Sequence, residues 1–171
     1  MAQTSETRDI FVTGLKNAHA MENQALSIMK AQVSRIENYP EVAQRLEIHI
    51  RETEGQLERL AQILDGLGEG NSTLKDAALS ITGSLTALGH AIADDEILKN
   101  GFANFAFENY EIAAYQSLIT VGAHGGFSTA IEALRKSLHE EIDMARWLDE
   151  NLEKLTLKYV ARRQAGLTAK A

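Results

Sequence analysis

Phe105 to Tyr115 reads FAFENYEIAAY. Aromatic and aliphatic residues recur in it at helical spacing, yet Glu108 and Glu111 fall among them, three residues apart on one helix face. A second stretch, HAMENQALSIM (His19 to Met29), repeats the arrangement, with Met21-Glu22-Asn23 answering Phe107-Glu108-Asn109. Apolar residues every three or four positions mark the buried face of a packed helix. Both stretches therefore set a carboxylate where a core residue belongs.

Outward from these stretches the chain divides into helices. A first helix is expected from Thr4 or Ser5, either of which can cap it, to about Glu37. The break NYPE follows, and Pro40 suits the first position of a second helix running to about Leu64. DGLGEGNST (Asp65 to Thr73) ends that helix, and a weaker helical stretch from Leu74 to Ala93 reads as a connector. A third helix is expected from about Asp95 to Val121. GAHGGFST (Gly122 to Thr129) closes it, and a fourth runs from about Ser128 through Lys154. The tail to Ala165 either continues the fourth helix or forms a short fifth. Two helical hairpins joined by a long crossover predict an all-α, antiparallel four-helix bundle. Residues 1–171 are read as one domain, with a core over about 5–155 and a basic helical tail over 156–171.

The seams repeat the opening anomaly. Helix one offers Phe11, Leu15, Ala18, Glu22, Ala25, Met29, Val33 and Ile36. Helix two offers Val42, Leu46, His49, Thr53, Gln56, Leu60 and Ile63. Helix three offers Ile97, Gly101, Phe105, Glu108, Ile112, Tyr115 and Ile119, and helix four Ile131, Leu134, Leu138, Glu141, Ala145, Leu148, Leu152 and Leu155. Each helix thus carries one ionisable seam residue near its middle. Glu52 lies three residues after His49, and Glu111 three after Glu108, so each shares its neighbour's face.

An isolated carboxylate in a dry core is heavily penalised, and several together repel one another. Lys and Arg fall on the outer faces and offer no compensation along the seams. Metal ions would resolve the conflict, because carboxylates and imidazole are their ligands and facing helices can hold two irons or manganese ions. Singly, each residue has an ordinary reading. A lone seam glutamate sits near a bundle end or pairs with an outer arginine, His49 is a hydrogen-bonded core histidine, and Glu140 in HEEID is solvated. His19 and His139 read as surface or supporting groups, and His90 and His124 lie outside the pattern. The alignment of the set in both halves favours a metal site.

Composition excludes other classes. Net charge is −7, from 24 acidic and 17 basic residues, which disfavours nucleic acid and anionic lipid as partners. The basic residues Lys158, Arg162, Arg163 and Lys170 read as a solvated helix end. There is no cysteine, which removes disulfides and thiolate metal sites and is compatible with a reducing cytoplasm. No signal peptide and no membrane span are expected. Phosphate-loop, zinc-finger and recognisable Ser-His-Asp motifs are lacking.

HIRETEGQLERL (His49 to Leu60), FENYEIAAY (Phe107 to Tyr115) and LHEEIDMARWL (Leu138 to Leu148) resemble the YciE/YciF family of bacterial stress-associated proteins, over about Ile10 to Leu155. The resemblance implies a ferritin-like bundle with a dinuclear metal centre of iron or manganese, and a homodimer. It implies Glu22, Glu52, Glu108, Glu111 and Glu141 as carboxylate ligands and His49 as the imidazole. The broader ferritin-like Glu-x-x-His pattern is broken on helices two and four, where Gly55 follows Glu52 and Met144 follows Glu141. Helix two carries the reverse order, His49-x-x-Glu52. A carboxylate-rich, histidine-poor centre holding one or two ions follows. Two functions compete: a metal-dependent oxidoreductase or peroxidase acting on peroxide or dioxygen, in which Tyr110 or Tyr115 relays an electron or packs, and a non-catalytic stress-associated dimer with a vestigial or structural site. A cage-forming iron store is a third.

Overall fold

The structure, a computed structural model, describes residues 5–69 and 93–171. Among them are four helices: α1 (Ser5–Val33), α2 (Pro40–Gly66), α3 (Glu96–Gly125) and α4 (Ser128–Gln164). They form the expected all-α antiparallel bundle, in which α1 packs on α2 and α3, and α4 packs on the same two. The connector expected over Leu74 to Ala93, with His90, lies outside the described residues, Ala93 excepted.

Local chemistry explains the breaks. Pro40 opens α2, where its missing N–H costs no helical bond. Gly126 adopts a left-handed φ of 77° after α3, which lets the Phe127 N–H reach the Gly122 carbonyl at 2.9 Å. One boundary differs from expectation: helix α1 stops at Val33 rather than near Glu37. Of the two alternatives for the tail, the structure takes the first, with α4 continuing as far as Gln164.

Beyond α4 the chain folds back on the end of the bundle. Tyr39, fully buried, donates its hydroxyl to the Ala169 carbonyl at 2.7 Å, and the Ile97 N–H bonds the Lys170 carbonyl at 2.8 Å. The basic residues expected to be solvated are largely engaged: Lys158 pairs with Glu41, Arg162 donates to Asn38 and the Thr168 carbonyl, and Lys170 lies 3.6 Å from Glu96. A folded-back chain brings acceptors to cations that a straight helix end would leave in water.

Two apolar clusters fill the interior. One gathers Phe11, Leu15, Leu60, Leu64, Leu118 and Leu134; the other gathers Met29, Leu46, Ile97, Met144, Leu148 and Leu155. Each fully buried Leu or Met stabilises the fold by about 1.5–3 kcal/mol. Glycine lets α1 and α3 approach: a Cβ on Gly122 would stand 3.0 Å from the Phe11 ring. The buried face of α3 is rotated from the expected seam. Phe105 is 37% exposed, while Asn104 is buried in a reciprocal amide pair with Gln32 of α1, at 3.0 and 2.8 Å. Two amides satisfying each other can occupy a core that an isolated one could not.

Candidate metal centre

Between the two apolar clusters lies a polar layer, to which every helix contributes. Glu22, Glu111 and Glu141 are 0% exposed, His49 1% and Glu108 3%. One ligating atom from each of His49, Glu108, Glu111 and Glu141 can be chosen so that all four lie within 4.8 Å of one another. The Nε2 of His49 stands 3.1 Å from Glu108 Oε2 and 3.3 Å from Glu141 Oε2.

The remaining sequence-named residues surround this group. Glu22 accepts a hydrogen bond from the Tyr115 hydroxyl at 2.7 Å, and its other oxygen is buried without a partner. Glu52 stands behind His49, its Oε2 2.8 Å from Nδ1 and 3.1 Å from the Arg45 guanidinium. Glu52 is therefore not brought into the four-residue group. Its carboxylate favours a proton on Nδ1, which directs Nε2 at the other carboxylates.

Glu140, expected on a solvated face, instead pairs with Arg59 and accepts a bond from Gln56. Arg45 and Arg59 correct the expectation that basic residues stay on the outer faces: both are mostly buried, each clamping a carboxylate beside the layer. Their long apolar stems let the charged heads reach around a helix edge. Gln56 was legible only as a seam position. In the fold it also donates to Glu141, which ties α2 to α4. Tyr115 packs in the core and serves the layer through Glu22. His139 and His124 are exposed, and His19 bonds Asn23, so none joins the group.

Cation support is thin inside the layer. Among the described residues, three carboxylate oxygens of the layer, Glu22 Oε2 and both oxygens of Glu111, are buried with neither a hydrogen-bond donor nor a cation, while Glu108 Oε2 and Glu141 Oε2 face His49 Nε2. Burial drives the titration. It raises the Glu108 carboxyl to about 8, against the pull of His49 and with the push of Glu141. Burial and then the Glu22 charge raise Glu111 well above the carboxylate range, and burial and Glu141 do the same to Glu22. Burial would lower His49, but Glu108, with Glu141 and Glu52, outweighs it and holds the imidazole well above its ordinary value. Glu141 is also opposed by burial, yet His49 and Gln56 hold it below the usual range. Burial opposes Glu52 too, and His49 and Arg45 lower it. One carboxylate and one imidazolium thus offset each other, and the other carboxyls favour their protons.

This donor set fits a hard divalent cation. Oxygen and imidazole donors suit iron and manganese, and unpartnered buried oxygens are what a cation would satisfy. His49, Glu108, Glu111 and Glu141 stand close enough to share such an ion, and Glu22 is buried in the same layer outside that group of four.

Residues 6–161 match the protein family described as Domain of unknown function (DUF892). The chain is 28% identical over 141 residues to protein YciF of Escherichia coli K12, covering 78% of this chain and 82% of that protein. A crystal structure of a Xanthomonas campestris protein is similar at a TM-score of 0.78, with 32% identity, 94% of this chain covered and 99% of the other. The crystal structure of the E. coli stress protein YciF shares the fold at a TM-score of 0.69, with 21% identity and coverage of 87% and 96%. From the matched span and these relatives, the chain belongs to the DUF892 family, that of YciE and YciF.

Proposed function

We propose that the polar layer is a carboxylate-rich metal centre holding iron or manganese, two ions when fully loaded. The observation that carries this reading is the convergence of four buried carboxyls on one imidazole, with three of their oxygens, Glu22 Oε2 and both of Glu111, meeting neither a hydrogen-bond donor nor a cation. Glu108, Glu111, Glu141 and His49 would be the principal ligands, with Glu22 completing the set from α1. Glu52, named with them from the sequence, would act by orienting His49. When bound, iron would supply redox chemistry toward peroxide or dioxygen, as fits a stress-response role. The chain's own part is to exclude water with the two apolar clusters, to hold Glu22 through Tyr115, and to fix Glu141 through Gln56.

The test is an anaerobic ferrous titration of metal-free protein, counting ions per chain, followed by peroxide addition under optical detection. Two ions per chain and consumption of peroxide support a working centre. Glu108→Ala should weaken binding at least tenfold while circular dichroism shows an intact bundle; unchanged stoichiometry in that variant sinks the site.

A second reading has its own support. Protons favoured on Glu22, Glu108 and Glu111 would let the layer persist without metal, as a vestigial site in a non-catalytic protein. Absence of saturable binding by iron or manganese selects it.

In either case we propose a cytoplasmic homodimer, with neither nucleic acid nor membrane as partner. From Asn100 to Gly125 the only Asp, Glu, Lys or Arg residues are the buried Glu108 and Glu111, so the outer face of α3 beyond Lys99 is uncharged and exposes Phe102, Phe105 and Tyr110. No described helix is long and apolar enough to cross a membrane. Light scattering that gives the mass of one chain overturns the dimer.

A further inference from the structure

A second cavity lies apart from the carboxylates, in the half of the bundle that ends at the folded-back tail. Its volume is about 140 Å³, and its wall includes Leu46, Ile97, Gly101, Phe102, Trp147 and Leu155. A cavity of roughly 150 Å³ with walls of this kind holds a benzene-sized molecule. Phe102 is 53% exposed, so the cavity reaches the surface beside it. The charged lining residues, Glu41, Asp149 and Lys154, are half-buried or exposed, which leaves the deep wall without ionised groups.

One deep residue is polar and unsupported. Asn100 lines the cavity, is 6% exposed, and makes no side-chain hydrogen bond among the described residues. Its neighbours Gln32 and Asn104 also line the cavity, but their amides are already paired with each other. The Asn100 amide is not among the fully enclosed unpartnered groups, so it is open to whatever fills the cavity. Those two paired amides form the wall toward Glu108, since they also line the small gap that contains it. An occupant of the cavity is thus screened from the metal layer.

We propose that this cavity binds a small, uncharged organic molecule: a single ring with one hydrogen-bonding substituent, the ring against Leu46, Ile97 and Leu155 and the substituent on the Asn100 amide. Ring size follows from the volume, neutrality from the uncharged depth, and the polar substituent from Asn100. Because none of these residues belongs to the proposed metal centre, the site stands or falls independently of it.

Trp147 is the only tryptophan and lies in the wall, so it reports occupancy directly. Metal-free wild-type protein is titrated with phenol and with benzene, following Trp147 emission and its indole NMR signal. Phenol should saturate with a midpoint on the order of 0.1–1 mM, as expected for a ligand of seven heavy atoms. Benzene should bind about tenfold more weakly, and Asn100→Leu should erase that difference. Gly101→Leu, which fills the cavity, should raise the phenol midpoint at least tenfold. The gentler Gly101→Ala should raise it a few-fold with the fold secure, because a Cβ there meets only Leu155 Cδ2 at an ordinary 3.5 Å. A non-saturating response means that water alone fills the cavity, and it overturns the proposal. So does saturation unaffected by both Gly101 variants. A preference for phenol that survives Asn100→Leu overturns the role of the amide.

Discussion

The bundle buries glutamates in two different ways. At the end near the folded-back tail, Glu96 is 1% exposed and meets two cations, Arg35 at 2.7 Å and Lys170 at 3.6 Å. In the middle, Glu22, Glu108, Glu111 and Glu141 gather about one imidazole, which faces Glu108 and Glu141, and three oxygens, Glu22 Oε2 and both of Glu111, meet no donor and no cation. Glu96 is a carboxylate whose compensation is built into the chain. The central four have a single imidazolium among them, and the deficit points to something supplied from outside. Burial of an acid is therefore a poor sign of function by itself; burial without sufficient cations is the informative case.

The largest expected effect separates the two regions most sharply. Ferrous or manganous ion at a hundred times its Kd should stabilise the wild type by about 2.7 kcal/mol. That gain should vanish in Glu108→Ala and survive in Arg35→Ala, read as shifts in the urea midpoint. Arg35→Ala should itself cost about 2 kcal/mol in the absence of metal, because Glu96 is left with Lys170 alone. Glu111→Leu should do the opposite to the metal-free protein, raising its stability by about 1 kcal/mol as an uncompensated carboxyl is replaced by apolar volume. A clear destabilisation there would break the comparison. Tyr115→Phe is the smallest change, a loss of about 1 kcal/mol or less from the Glu22 hydrogen bond.

Titration sharpens the contrast further. Glu108 keeps its proton to about pH 8 in the fold, whereas an ordinary glutamate loses it near 4.5. The folded state binds more protons between those values, so metal-free stability should fall as pH rises through that window. His49, raised above 6.5, adds to the fall at the upper end. The lowered Glu141 acts oppositely, gaining stability as pH rises from its folded value toward 4.5. Metal affinity should instead rise with pH, since ligands must release protons to bind. Urea midpoints at pH 5.5 and pH 8, with and without manganese, should cross in this sense.

Helix order was legible because Pro40 and Gly126 act within a few residues of themselves, where sequence determines local geometry. The seams of α1 and α2 were legible for the same reason, and they carried Glu22, His49, Thr53 and Gln56 inward. What escaped were relations between helices. Asn104 lies inside in place of Phe105 because Gln32, 72 residues earlier, stands opposite it. The Arg59–Glu140 pair spans 81 residues, and no periodicity within one helix announces it. Glu52 belongs to the same class: its spacing from His49 places both on one face, but not which of them turns toward the other helices.

The folded-back tail has a kinetic meaning. Asp95 precedes α3 without a side-chain cap, and the amide of Ile97 in the first turn takes the Lys170 carbonyl in its place. The Ala169 and Ala171 carbonyls meanwhile hold Tyr39 and Asn38 at the start of α2. One short segment thus closes the first turns of two helices that are remote in sequence. Their fraying is joined, and hydrogen exchange at the Ile97 and Asn38 amides should proceed at a common rate, set by release of the tail rather than by either helix alone.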